Sequence, residues 1–204
     1  MKTKSLLITL SSLVAATLFA ADVPAVGSGA PDFSLKDSKG QTHSLGQYKG
    51  KYVVLEWFNP ECPFVKKHYG SDNMQKLQAE VTGKGAIWLS IDSSAEGKEG
   101  YLDADAANKI MTQWKTKQTA LLLDPDGAAG KAYGAKNTPH MVIINPEGKI
   151  VYEGAIDSKA SPNPADIPSS TNYVKVGLEE AMSGKPVSNP QTKPYGCSVK
   201  YKSM

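Results

Sequence analysis

Arginine is absent from this chain: all 23 of its basic residues are lysines. Lysine supplies charge, but not the fixed planar fork of donors that arginine presents. Cysteine is scarce as well, with Cys62 and Cys197 the complement, and there are three histidines, His43, His68 and His140. Two cysteines and three scattered histidines are poor material for a four-ligand zinc site. Val65 stands where the second thiol of a compact Cys-x-x-Cys site would be. No internal repeat or heptad run is present. The lysines are scattered or alternate with acids, which gives no nucleic-acid surface.

What is there begins with Lys2 and Lys4, followed by an uncharged run from Ser5 to Ala20 that ends in small residues. Its apolar part is shorter than the roughly 20 residues of a membrane span. It matches the charged and hydrophobic regions of a secretory leader, with cleavage expected after Ala20. Leu18 makes the small-x-small site imperfect, so an uncleaved anchor is the alternative. No cysteine follows to carry a lipid. Removing residues 1–20 takes away two lysines and no acid, so the formal charge falls from +3 to +1. The chain is therefore expected to be exported, periplasmic or secreted, with no stable membrane insertion once the leader is gone. The remainder, about 184 residues, suffices for one domain with a proper core.

The stretch Tyr52 to Phe58 has the β-branched and aromatic composition of a buried strand. Asn59 to Glu61 break it, and Cys62 then precedes Pro63. Proline is favoured at the first helical position, so Cys62 is the cap. The free N–H groups of Phe64 and Val65 and the helix dipole favour a negative charge at its sulfur. Lys66 adds a cation one turn on, whereas Glu61 opposes ionisation. The thiolate is the reactive form, so this arrangement reads as a redox site. The plain alternative is a small apolar residue in a turn. His68 is expected at the surface, His43 has no assigned role, and Trp57 and Phe58 read as core or site wall.

Along the rest of the chain, 21–29 is a loose lead-in. Short strands are expected at Ala30 to Leu35 and Gln41 to His43, and buried strands at Ala86 to Ile91 and Ala120 to Leu123. Asp103 or Asp105 caps a helix that carries Ile110 and Trp114. A short helix follows at Ala128 to Tyr133. Asn145-Pro146-Glu147-Gly148 turns a hairpin between Met141 to Ile144 and Ile150 to Glu153. Ser158 to Ser169 reads as an exposed loop and Asn172 to Ser183 as a helix. The tail 185–204 has no periodicity but carries Cys197. This order predicts an α/β fold, a central mixed sheet flanked by helices, with an N-terminal short-strand extension and an irregular C-terminal tail. The domain is placed at 30–184. In open sheets of this kind chemistry gathers at the C-terminal ends of the strands, which is where Cys62 falls.

Several motifs resemble the thioredoxin-fold redoxins of the alkyl hydroperoxide reductase/thiol-specific antioxidant family. They are Ala30-Pro31-Asp32-Phe33-Ser34-Leu35, Lys49-Gly50-Lys51-Tyr52-Val53-Val54-Leu55 and Leu123-Asp124-Pro125-Asp126-Gly127. Asn59 to Val65, Thr138-Pro139-His140, Gly154-Ala155-Ile156-Asp157 and Tyr195 to Lys200 resemble its peroxiredoxin-like branch. The resemblance implies a thioredoxin-like fold with Cys62 as the attacking cysteine and Thr138–Pro139 as a cis-proline loop facing it. Such a bond is rare and exposes the Thr138 backbone to a disulfide partner. Pro63, Asn59 and His140 join Thr138 and Pro139 as substrate-positioning candidates, His140 as a proton carrier or simply a hydrogen-bonded strand residue.

The departures from the family are informative. A peroxiredoxin holds its cysteine in Pro-x-x-x-Thr-x-x-Cys with an arginine elsewhere; here Leu55 and Asn59 fill the proline and threonine positions. Thiol–disulfide exchange needs only a thiolate, an accessible disulfide and a second thiol. Cys197 is read as that resolving thiol, closing a Cys62–Cys197 disulfide each cycle. The alternative is a permanent staple worth roughly 5 kcal/mol for so long a loop. The leading expectation is an exported thiol-disulfide oxidoreductase that needs no cofactor. Its partners would be protein or small-molecule thiols and disulfides and an unidentified reductant. A slow thiol peroxidase is the second reading. A copper-handling module using Cys62, Cys197 and His140 is the third, and a redox-inert binding domain with a structural disulfide the fourth.

Overall fold

The computed structural model describes residues 23–202; the expected leader over 1–20 lies outside the described residues. In chain order the elements are β1 (Ser34–Asp37), β2 (Thr42–Ser44), β3 (Val53–Trp57), α1 (Pro63–Gly70), α2 (Asn73–Gly83) and β4 (Ile87–Asp92). They continue as α3 (Ala104–Gln113), β5 (Ala120–Leu123), α4 (Ala128–Ala132), β6 (Asn137–Thr138), β7 (His140–Ile144), β8 (Ile150–Gly154), α5 (Tyr173–Met182) and β9 (Cys197–Ser198). Among the described residues no helix is long and apolar enough to cross a membrane.

Seven strands form one mixed sheet in the order β2-β1-β5-β4-β3-β7-β8. The centre, β5-β4-β3, is parallel, and the β7–β8 hairpin closes one edge antiparallel to β3. The N-terminal β1–β2 hairpin closes the other edge against β5. This is a thioredoxin-like α/β fold. β3 is buried at every position, as befits a parallel strand covered on both faces. Val54, Trp88, Leu121, Met141 and Ile143 face one core with α1, α2 and α5, while Leu55, Trp57, Leu89 and Val142 face the other with Phe33 and α4.

Local signals hold where they were expected. Asp103 Oδ1 accepts from Ala106 N at 2.8 Å and starts α3. Asn172 is the cap of α5, accepting from Lys175 N at 2.9 Å, rather than its first residue. Gly148 N donates to Asn145 O at 2.9 Å in the β7–β8 turn. Two expectations change. The loop Ser158 to Ser169 contains a 3₁₀ segment, Pro164–Ser169. The tail is not wholly irregular, because β9 pairs antiparallel with β6, Asn137 opposite Ser198 and Thr138 opposite Cys197. A two-residue strand leaves no period to read, and its partner lies 59 positions earlier in the chain.

Candidate active site

Cys62 is the cap of α1, in extended conformation with Pro63 at the first turn. Two backbone bonds to its carbonyl, from Val65 N at 3.1 Å and Lys66 N at 2.9 Å, start the helix. Asn59 shapes the approach to it. Its Oδ1 accepts from Glu61 N at 2.8 Å, its Nδ2 donates to Glu99 O at 3.3 Å, and its carbonyl accepts from Cys62 N at 3.2 Å. Asn59 is thus a buried brace for the turn. A side chain at Gly100, which sits at φ 82°, would strike it.

The Thr138–Pro139 bond is cis. The Thr138 carbonyl accepts from Cys62 Sγ at 3.1 Å. Across the β6–β9 ladder Cys197 faces Thr138, so the tail thiol reaches the helix cap. Gly196 permits this approach: it has φ 120°, and a Cβ there would lie 2.0 Å from Thr138 O. Asn137 Nδ2 adds a bond to Gly196 O at 3.0 Å. Both cysteines are free thiols; Cys62 is fully buried and Cys197 partly exposed.

The two thiols are driven in opposite directions. Burial opposes ionisation of Cys62, but hydrogen bonding led by Cys197, with the Val65 backbone, holds the thiol below its ordinary value. Burial, together with the hydrogen bond to Cys62 and the charge there, pushes Cys197 up to about 12. Cys62 is therefore the thiol of the pair that ionises more readily, and Cys197 the one that keeps its proton. Hydrogen bonding to the charged form is the cause, as expected for groups aimed at an anion.

Three expectations about the surroundings are corrected. Lys66 is exposed and is not among the groups that shift Cys62; the donors are backbone and sulfur instead. Glu61 is likewise exposed and outside that set. His68 is fully buried rather than on the surface, bonded to Asn73 Nδ2 at 2.8 Å and 3.7 Å from Asp157. The reason is tertiary: with Lys67 also buried, α1 is covered on more faces than an amphipathic surface helix.

His140 opens β7 opposite Trp57 and lies edge-on to it at 5.6 Å between centroids. It is 6% exposed and neither ring nitrogen has a hydrogen-bond partner. It therefore makes no hydrogen bond to either sulfur. Burial lowers its pKa to about 4, so it is neutral near pH 7. A base with a depressed folded pKa adds stability above its unfolded value, and that stability is lost as pH falls through the folded value. His140→Leu is therefore expected to flatten the loss of stability between pH 6.5 and pH 4, by up to about 3 kcal/mol. Urea unfolding of both proteins across that range checks it; parallel pH curves contradict it.

Glu56 was missed by sequence reading, although an acid inside Val-Val-Leu-x-Trp was its signal. Its carboxyl is fully buried on β3 and accepts from Ser90 Oγ at 2.7 Å, Trp88 Nε1 at 2.9 Å and Tyr69 OH at 2.9 Å. Burial raises its pKa despite these donors. Among the described residues, no group of three or more His, Cys, Asp or Glu side chains is placed to hold a metal ion.

Residues 26–153 match the AhpC/TSA family. The thiol-disulfide oxidoreductase ResA of Bacillus subtilis is 27% identical over 125 residues, 61% of this chain and 64% of that protein. The chain thus spans just under two thirds of that relative's length. Peroxiredoxin Q of Triticum aestivum is 35% identical over 98 residues, 43% of this chain and 45% of its own. A solved structure of an uncharacterized conserved protein from Geobacillus kaustophilus superposes with a TM-score of 0.76 at 25% identity, covering 90% of this chain and 95% of that one. With a match over more than half its length and a cysteine-capped helix facing a cis-proline, the chain belongs to the AhpC/TSA family as a thioredoxin-fold redoxin.

Proposed function

We propose that this protein is an exported thiol-disulfide oxidoreductase cycling through a Cys62–Cys197 disulfide. One observation carries the reading: two free thiols meet across Thr138 with their acidities displaced in opposite directions. Cys62 thiolate attacks a disulfide R–S–S–R′, forming Cys62–S–S–R and releasing R′–S⁻. Cys197 then loses its proton and attacks the Cys62 sulfur, closing the intramolecular disulfide and releasing R–S⁻. A thiol reductant restores both cysteines. Exchange runs either way, and a low-pKa Cys62 is also the better leaving group.

Because Cys62 is fully buried under β9, a substrate reaches it only when this two-residue pairing opens. Short, few-bonded elements open at the lowest free energy. Pro63, Asn59, Thr138 and Pro139 position the sulfur and its partner; His140 supplies a neutral wall beside the cis-proline. Export rests on the leader-like residues 1–20. The partners are thiols and disulfides of proteins or small molecules, together with a reductant.

The test is the reduction potential of the Cys62/Cys197 couple with turnover on a model disulfide and on peroxide. A potential above about −300 mV with disulfide turnover supports exchange, whereas one well below it marks a structural staple. Peroxide turnover that outpaces disulfide turnover, and is lost in Cys62→Ser, favours the peroxidase reading suggested by the likeness to peroxiredoxin Q.

A further inference from the structure

A second buried polar centre lies beside the two thiols. Asp157 follows β8, and its carboxylate collects donors from three parts of the chain. Lys67 Nζ, from α1, lies 3.1 Å from Oδ2; Ser170 Oγ reaches the same oxygen at 3.3 Å. Lys159 N donates to Oδ1 at 2.9 Å, and the Tyr195 hydroxyl donates to that oxygen too. The Lys67 and Asp157 side chains are 0% and 2% exposed.

The spacing along the chain gives this knot its meaning. Lys67 is five residues beyond Cys62 on the same helix, and Tyr195 is two residues before Cys197 on the tail. Two residues span at most about 7 Å, so holding the Tyr195 hydroxyl restricts where Cys197 lies. The Tyr195 ring also packs on Phe64, at 5.7 Å between centroids, with Lys67 Nζ 5.8 Å from its centre. Beyond Cys197 the tail is held by Val199 N to Lys136 O at 3.0 Å, Lys200 O to Ala95 N at 2.9 Å and Tyr201 OH to Ala135 O at 2.7 Å. Those bonds go to loops; the Asp157 bond ties the tail to the helix that Cys62 caps.

We propose that Asp157, through Tyr195, is a positioning device that sets the effective concentration of Cys197 at Cys62. A buried ion pair is weak evidence for stability but, tied into a hydrogen-bond network, specifies geometry. Here the geometry specified is the distance between two cysteine-bearing elements. This inference rests on the two-thiol reading above.

Tyr195→Phe is the discriminating variant, because it removes the hydroxyl bond and keeps the ring on Phe64. Asp157→Asn is unsuitable alone, since it strands the buried Lys67 charge. Equilibrating the full chain with reduced and oxidised glutathione reads the effective concentration of the Cys62–Cys197 pair. It is expected to fall about tenfold in Tyr195→Phe, the loss of one hydrogen bond to a charged group. Ser170→Ala, which loses a bond to the same carboxylate without touching the tail, is expected to stay within about twofold of wild type, its lost bond being weaker and remote from the thiol. In a Cys197→Ser background, Tyr195→Phe should leave the Cys62 thiolate titration, read by absorbance, where it was. An unmoved glutathione equilibrium in Tyr195→Phe overturns the proposal, as does an equal fall in Ser170→Ala or a shifted titration in the Cys197→Ser background. A wild-type chain that never closes the disulfide overturns the two-thiol reading and this one together. Closure in wild type with no response to Tyr195→Phe overturns the positioning role alone.

Discussion

Cys62→Ser is expected to abolish disulfide exchange, lowering turnover by a factor on the order of a thousand or more, as loss of a nucleophile does elsewhere. Serine keeps the helix cap and nearly the same volume, so the fold should survive. What disappears is a group held below its ordinary thiol pKa, whose ionised form attacks sulfur. Cys197→Ala is expected to behave differently. The first attack proceeds, but no second thiol releases the product, so one equivalent of mixed disulfide accumulates on Cys62. Mass spectrometry of protein quenched with acid distinguishes the two outcomes. Cys197→Ala also removes a hydrogen bond to the Cys62 thiolate, so the pH at which Cys62 reacts with iodoacetamide should move up. Retained exchange in Cys62→Ser would sink the proposed chemistry, and so would multiple turnovers by Cys197→Ala.

Gly196→Ala is the second large effect. A methyl group there would sit 2.0 Å from the Thr138 carbonyl oxygen, at φ 120°. Neither atom can yield cheaply, because the carbonyl is backbone and φ is in a region that L side chains rarely adopt. The tail must therefore leave the β6 edge, taking Cys197 from its place opposite Thr138. Closure of the Cys62–Cys197 disulfide in glutathione buffers is expected to weaken on the order of a hundredfold, given strain of a few kcal/mol at one residue. The thermal midpoint should change little, since β9 is two residues at the surface. Near-normal closure in Gly196→Ala would mean that the tail reaches Cys62 by another route.

How much of this was legible before the structure depended on the range of the interaction. Pro63 after Cys62, Asp103 before α3 and Asn145-Pro146-Glu147-Gly148 each specify structure within a few residues, and the chain adopts what they specify. The strand Tyr52 to Phe58 was visible because burial on both faces demands an apolar run. The cis Thr138–Pro139 bond was implied by family resemblance, since a lone X-Pro pair does not declare its isomer. Lys66 failed as the activating cation for a physical reason: same-face spacing on a helix does not state how far a flexible ammonium stands from the cap, or whether it faces water. His68 was misread, and Lys67 missed, because helical periodicity describes one covering layer, and the region around Asp157 supplies another.

Sequence alone determined where Cys62 stands, at the end of a buried strand and the start of a helix, because capping and strand composition act between neighbours. It also determined that a second thiol waited in the tail. Tertiary structure alone decided that this thiol faces Thr138, that Cys62 is shielded from solvent, and that Lys67, Asp157 and Tyr195 share one buried site. Those contacts join residues 38 to 135 positions apart. At such separations no local periodicity records the pairing; it emerges only when the sheet and its cover bring the segments together.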